Sequence, residues 1–386
     1  MAALYVDVEP DLLRWAVARA GWDEETADRR APKLDTWLDQ EKRPTLKQLE
    51  KFAHDTHTPL GLMFLREPPV ETVPIPDMRT LQNTQIAQPS ADLLDTIYLC
   101  QEHQDWYRDY ARAQELDPPR FVGSATLEDR PEIVADRIRA DLDFGPNERS
   151  TFATWEEAFR ELINRIEGIG VLVKVNGVVG ANPYRKLRPE EFRGFALSDD
   201  LAPLIFVNGA DTKAAQIFTI IHELAHLYLG ESALSDAAMG AVSSSAHEIW
   251  CNKVAAEVLV PRALLRSDFS GTVTPQELDR LARRYKVSTL VLLKSIYDAG
   301  LLGWDEYQDQ YDAEHHRVMN RLTERRADGS GGHYYYTQPF RLSRQFAQAV
   351  LASTFEGKTT YRDAYQLLGT KKYETLIGLA EQLGVA

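Results

Sequence analysis

Only two cysteines, Cys100 and Cys251, occur in 386 residues, and their spacing is not that of a metal site. This excludes a disulfide scaffold and fits reduced thiols in a cytoplasmic protein. Uninterrupted apolar runs of about 18 residues are also missing, so the sequence predicts no membrane span and no membrane partner. The first ten residues have no basic start, and Asp7 and Glu9 interrupt them, so they do not read as a signal peptide. Positive charge is in deficit. There are 44 Lys and Arg against 58 Asp and Glu, a net charge of −14, which argues against a generally basic nucleic-acid binder but allows a local basic patch. What the chain does have is 44% hydrophobic residues, enough for real cores, and a length that suggests two or three domains.

The pattern along the chain predicts an α+β, predominantly helical protein. Residues 1–69 read as a helical domain. Leu12, Leu13 and Val17 fit one stripe, and Leu46, Leu49, Phe52 and Ala53 another, with Pro44 placed at the start of that second helix. Four prolines between Glu67 and Asp77 read as a stiff linker, which opens a segment 70–166 that is mostly helical and broken at Asp117–Pro119. In 167–308 strands are predicted at 171–176, 192–197 and 203–207, then helices at 212–229, 246–260, 275–285 and 289–299. The stretch from Gly230 to Ala246, rich in Ser, Ala and Gly, reads as a mobile break. Residues 309–386 form a C-terminal segment, interrupted at Gly329–Gly332 and helical from about Ser343.

Chemistry concentrates in Phe218-Thr-Ile-Ile-His-Glu-Leu-Ala-His-Leu-Tyr-Leu-Gly230. On a helix His222 and His226 project from one face, one turn apart, where two imidazoles reach one metal ion. Ile217, Ile221, Leu224 and Tyr228 recur on another side, so one face is expected to pack and the other to be polar. Glu223 then lies beside the metal rather than on it, placed to take a proton from water and pass it to a leaving amine. Surface placement of the triplet is disfavoured because it sits within an apolar run. A catalytic zinc needs a third protein ligand, and the downstream candidates are His247, Glu248 and Glu257. Glu248, Asn252, Ala255, Ala256 and Leu259 share a helical face, and the two alanines allow a neighbouring helix to approach closely. Glu257 lies about half a turn away around the axis and is placed to pair with Lys253 on a solvated face, so Glu248 is the chosen ligand. Tyr228 and His247 are the candidates to steady an oxyanion, and His333 or a nearby tyrosine is a further one.

The combination of Phe218–His226, Glu248-Ile-Trp-Cys-Asn252 and Ala255-Ala-Glu-Val-Leu-Val-Pro261, with Val207-Asn208 before it and Leu281–Ser288 behind, resembles the ImmA/IrrE family of metallopeptidases over about residues 165–300. The resemblance implies a zincin-like fold, Zn2+ on His222, His226 and Glu248, and Glu223 as general base. It also implies regulatory cleavage of a repressor-type protein. Residues 32–69 are similar to an XRE-type helix-turn-helix, in which Lys42, Arg43, Lys47 and Lys51 are the candidate DNA contacts. Ten Lys and Arg against twelve Asp and Glu in residues 1–66 temper that reading.

The expected function is a zinc endopeptidase that cuts a repressor, antitoxin or toxin-like partner. The alternative is a DNA-binding transcriptional regulator, or an antitoxin, that uses the zincin domain as a scaffold and meets operator DNA through its N-terminal domain. In the C-terminal segment, Arg317, Arg321, Arg325, Arg326, Arg341 and Arg344 flank His333–Tyr336 and Phe340. Arginines beside aromatics can grip nucleic acid, but a solvated helix end followed by a strand is the favoured reading.

Overall fold

A computed structural model describes residues 4–78, 89–235, 245–325, 338 and 340–385. The chain divides into two compact units, one of residues 1–74 and 86–97 and one of residues 75–85 and 98–386. No helix among the described residues is long and apolar enough to cross a membrane.

The first unit contains α1 (Pro10–Arg19), α2 (Glu24–Arg30), α3 (Leu34–Leu38), α4 (Leu46–Asp55) and a 3₁₀ turn, Leu60–Phe64. Its core is small and self-contained. Leu12, Leu13, Leu49 and Met63 are fully buried, and Trp22 and Trp37 each set a ring edge-on to Phe52. Thr45 caps α4: its hydroxyl accepts the Gln48 N–H, and the Gln48 side chain accepts the Thr45 N–H. Pro44 therefore stands one residue before the cap rather than at the first helical position, and its carbonyl accepts the Val6 N–H at 3.0 Å. The proline-rich stretch is tethered rather than free, because Glu71 pairs with Arg19 at 2.7 Å within the first unit.

In the second unit the long α5 (Ala91–Ala113) runs on from the first, followed by α6 (Pro131–Leu142), α7 (Pro146–Arg149) and α8 (Trp155–Gly168). Strands β1 (Leu172–Asn176), β2 (Gly194–Leu197), β3 (Leu204–Asn208) and β4 (Ala233–Ser235) form one sheet in the order β1-β3-β2-β4. β1 and β3 are parallel, while β2 is antiparallel to both its neighbours. Both faces of this sheet are buried, so its strands read as continuous apolar runs rather than as alternation. The helix α9 (Lys213–Leu229) crosses β2 and β3, flanked by α8 and α10 (Ala246–Leu259), and α6 covers α10. Further on come α11 (Arg262–Asp268), α12 (Pro275–Tyr285), α13 (Thr289–Asp298) and α14 (Trp304–Arg325), then helices Arg344–Phe355, Tyr361–Leu367 and Tyr373–Leu383. Residues of α6 and α8 share one apolar core with the sheet, α9, α10, α12 and α13.

Two expectations are corrected. The start of the supposed mobile break is β4, whose backbone pairs with β2, and residues 236–244 lie outside the described residues. α9 is not amphipathic: Gln216 to Tyr228 are all buried, because α10 covers the side that carries the histidines. The break at Gly329–Gly332 and the His333–Tyr336 stretch also fall outside the described residues. Arg317 is not a free cation, since it grips both Asp279 oxygens at 2.8 and 3.0 Å and also pairs with Glu314.

Glu167, in the last turn of α8, fastens the helix Arg344–Phe355. It accepts the Ser343 hydroxyl at 2.5 Å and the backbone N–H groups of Val173, Arg344 and Gln345. Burial outweighs these donors and pushes its carboxyl up to about 7. A carboxyl raised in the folded state stabilises fully below its unfolded value near 4.5, and that contribution is lost as pH rises through about 7. The unfolding free energy of the wild type, measured against Glu167→Gln, is expected to fall by about 3 kcal/mol between pH 4.5 and 7 and then level off. Denaturant titrations across that range check this, and a flat difference contradicts it.

Candidate metal centre

The sequence around α9 builds a helix with firm ends. The Thr212 hydroxyl accepts the Ala215 N–H at its start, and Gly230, at φ 74°, closes it in the left-handed conformation that glycine tolerates. A Cβ at Gly230 would lie 3.0 Å from the Gly123 Cα, where the backbone of residues 123–125 donates to the Leu227 and Tyr228 carbonyls. At the other end Asn208 is fully buried. Its amide donates to the Phe192 carbonyl and its oxygen accepts the Ala210 N–H, which fixes the turn from β3 into α9.

His222 and His226 point their Nε2 atoms to one place, 3.2 Å apart, where Glu248 arrives from the first turn of α10. The Glu248 Oε1 lies 3.0 Å from His226 Nε2, and its Oε2 lies 3.3 Å from His222 Nε2. Both rings are fully buried and Glu248 is 2% exposed. Among the described residues this is the one group of three such side chains whose ligand atoms converge within metal-binding range. The fit to zinc is geometric. A tetrahedral ion with bonds of about 2.0–2.1 Å spaces its ligands about 3.3 Å apart, close to the 3.2 Å between the two nitrogens, and each nitrogen has a Glu248 oxygen at 3.0 or 3.3 Å.

The charge states suit the same use. Burial keeps the His226 ring below its ordinary value and so neutral, with the Glu248 hydrogen bond offsetting only part of that effect. Burial works against charge on Glu248, but the adjoining His222 and His226 rings and their hydrogen bonds hold its carboxyl below the usual range. The centre thus offers two imidazole nitrogens and one carboxylate, the donor set of a catalytic zinc site. The Nδ1 atoms of both rings have no hydrogen-bond partner among the described residues. An outer acceptor for the second ring N–H, which commonly orients a metal-bound imidazole, is therefore not found among the described residues, and packing inside the fully buried helix holds the rings.

Glu223 lies next to this trio without joining it. It is fully buried, its Oε1 has no partner among the described residues, and its Oε2 is 3.5 Å from the Ser235 hydroxyl. Burial first, and then the charge on Glu248, raise its carboxyl well above the ordinary value. β2 leaves room for it at Gly194, where a Cβ would be 2.6 Å from the Thr219 Cγ2 and 3.1 Å from the Glu223 Oε1. The Ser235 hydroxyl also sits 3.3 Å from the Glu248 Oε1 and 3.4 Å from His226 Nε2. Sequence reasoning missed both Gly194 and Ser235. Gly194 carries no local signal inside a strand pattern, and Ser235 falls in a short strand within a Ser-rich stretch.

The other candidates lie elsewhere. The Tyr228 hydroxyl donates to Asp141 and its ring packs on Phe121, so it is no oxyanion group. His247 pairs with Glu231 at 3.1 Å. Glu257 is buried rather than solvated, and it accepts the Arg262 N–H and pairs with Arg262, not with Lys253, because the chain turns back at Pro261. Asn252, one turn beyond Glu248, has a buried Oδ1 without a partner among the described residues. Both cysteines are free and buried, and burial pushes the Cys251 thiol well up, which keeps it neutral. In the first unit Lys42, Arg43, Lys47 and Lys51 are all exposed, but Arg43 pairs with Asp7 and Lys51 with Asp55.

The sheet edge nearest the centre is occupied by the chain itself. Met78 N–H donates to the Leu234 carbonyl and Leu234 N–H to the Pro76 carbonyl, both at 2.9 Å, so residues 76–78 run parallel along the outer side of β4.

Comparison with known proteins places this centre in a family context. Residues 184–297 match the family model of the IrrE N-terminal-like domain, Peptidase_M78. That span contains Gly194, His222, Glu223, His226, Ser235 and Glu248, and the match supports a zincin-like metallopeptidase domain of ImmA/IrrE type. Residues 342–382, the last three helices, match a domain of unknown function, DUF8813. No curated protein matches the chain.

Proposed function

We propose that the chain is a zinc-dependent endopeptidase whose target is a regulatory protein of repressor or antitoxin type. The observation that carries this reading is the convergence of His222 Nε2, His226 Nε2 and the Glu248 carboxylate, all buried, with the unpartnered Glu223 oxygen alongside.

A zinc ion held by these three side chains would act as a Lewis acid and make water acidic near neutral pH. Glu223 accepts the proton from the attacking water on its free Oε1 and returns it to the departing amine nitrogen. Its burial among apolar residues keeps the proton at that carboxyl until the amine takes it. Ser235 supports the two carboxylates from β4. A substrate strand pairs with a sheet edge through backbone hydrogen bonds, so on this proposal it takes the place of residues 76–78 along β4. Met78→Pro removes the N–H that donates to Leu234 and is expected to raise cleavage several-fold.

The test is direct. The purified, zinc-loaded chain is incubated with regulators encoded beside it, and new N-termini are read by mass spectrometry. One discrete cleavage, abolished by a chelator and restored by zinc, is the expected result. Intact regulators together with operator binding would instead support the second reading, a DNA-binding regulator or antitoxin. That reading draws on residues 32–69, where the short helices α3 and α4 are joined by residues 39–45, which carry Lys42 and Arg43. Against it, α3 exposes Asp35 and its cap Asp39, and two of the four candidate cations are already paired.

A further inference from the structure

A cavity of about 310 Å³ opens where β1 and β3 end, beside the start of α9 and the outer face of α8. It is not the metal centre, because Lys213 on its wall precedes His222 by nine residues, about 13 Å along the helix. Its wall combines apolar rings, Phe159 and Phe340, with three cations, Arg160, Lys213 and Arg341, and one acid, Glu156. The balance is positive in a chain whose net charge is −14.

None of the three cations makes an ion pair among the described residues. Arg19, Arg108, Arg165, Arg280 and Arg317 all hold carboxylates within 3 Å. Arg160 and Arg341 make no ion pair or hydrogen bond among the described residues. Lys213 donates only to the Gln216 Oε1, at 2.9 Å, and its ammonium stands 5.2 Å over the Phe159 ring. Burial also lowers the Lys213 amine, with Glu156 the acid that acts against this. An anion arriving here would relieve the lysine's desolvation and supply the partner that the arginines lack.

The floor is rigid. Gly177 and Gly209 bring two loops into backbone contact, and a Cβ at Gly177 would lie 3.0 Å from the Ala210 N, while one at Gly209 would lie 2.9 Å from the Gly177 N. The volume suits a small molecule rather than a peptide strand. Three separate cations match the three oxygens of a phosphate better than the two of a carboxylate, which a single arginine satisfies. We propose that this cavity binds a small organic phosphate whose apolar or aromatic body lies against Phe159 and Phe340. It would then be a ligand site on the helix that carries both histidines, with Phe340 and Arg341 lying just ahead of the DUF8813 stretch.

Calorimetry on the full chain at low salt tests this with phenyl phosphate, inorganic phosphate and phenylacetate as probes. The expected result is one phenyl phosphate per chain, bound at least about tenfold more tightly than either other probe. Arg160→Glu, at an exposed position, and Arg341→Ala should each weaken it about tenfold or more without changing the melting temperature. Glu248→Ala should leave it unchanged, which keeps the result separate from metal chemistry. The proposal is overturned if phenylacetate binds as well as phenyl phosphate. It is also overturned if both arginine variants keep wild-type affinity, if binding is lost with Glu248→Ala, or if no probe saturates.

Discussion

Glu223→Gln is expected to keep the bound zinc and to lose about 10²–10⁴-fold in peptide hydrolysis. The reason lies in the division of labour around α9. His222, His226 and Glu248 converge on one point, whereas Glu223 stands beside them with one oxygen free. Glutamine fills the same space beside Gly194 but cannot accept a proton. Glu248→Ala should behave in the opposite way. It removes a ligand, so zinc affinity should fall by more than the 10–100-fold that loss of an outer partner costs, and activity should fall with it. His247→Ala and Glu257→Ala should do neither, since the one pairs with Glu231 and the other with Arg262. Metal analysis and initial rates on a peptide spanning the cleaved bond separate these outcomes. Loss of zinc from Glu223→Gln, or its retention by Glu248→Ala, would reverse the assigned roles.

Arg149→Met is expected to destabilise the second unit by about 2–4 kcal/mol. Arg149 is 1% exposed. Its guanidinium donates to the Leu259 carbonyl at 2.5 Å, the Val258 carbonyl at 3.3 Å and the Tyr285 carbonyl at 3.0 Å, tying α7 to the ends of α10 and α12. Two effects oppose each other. Burial disfavours the cation and pulls it down to about 9, so its removal brings some relief. Against that, three buried carbonyls lose their donor at about 1–3 kcal/mol each, and the negative ends of two helices lose a cation. The second effect is the larger. Lysine should not rescue, because one ammonium cannot span both helix ends as a guanidinium does. Glu248 lies at the opposite end of α10, so zinc affinity should persist in whatever fraction stays folded. Urea unfolding followed by a probe in the second unit measures the loss, and an unchanged midpoint would contradict this account.

Local periodicity made much of the centre legible. The spacing of His222 and His226 places them on one face, and the helix predicted at 212–229 is observed at Lys213–Leu229. Glu248 followed from which residues share a side of the next helix. What could not be read was set by distant contacts. Ser235 lies on a strand of three residues that exists only because β2 pairs with it. Gly194 matters only through the close approach of β2 to α9. The carbonyl partners of Arg149 lie 109 to 136 residues further along the chain, so nothing near it in sequence announces its role. Glu257 was misplaced for a related reason: helical geometry gave its angle correctly, but not the turn at Pro261 that folds Arg262 back onto it. α9 was expected to keep one polar face, and it is the packing of α10 that buries that side.

The proposed chemistry needs one ion at one place, and a zinc titration of the metal-stripped full chain, read by X-ray absorption, examines that most directly. The predicted result is a single saturable Zn2+ per chain with two nitrogen neighbours, oxygen neighbours and no sulfur, lost in His222→Ala. A chain that takes up no stoichiometric zinc, or one whose zinc is bound through Cys251 and survives His222→Ala, would contradict it.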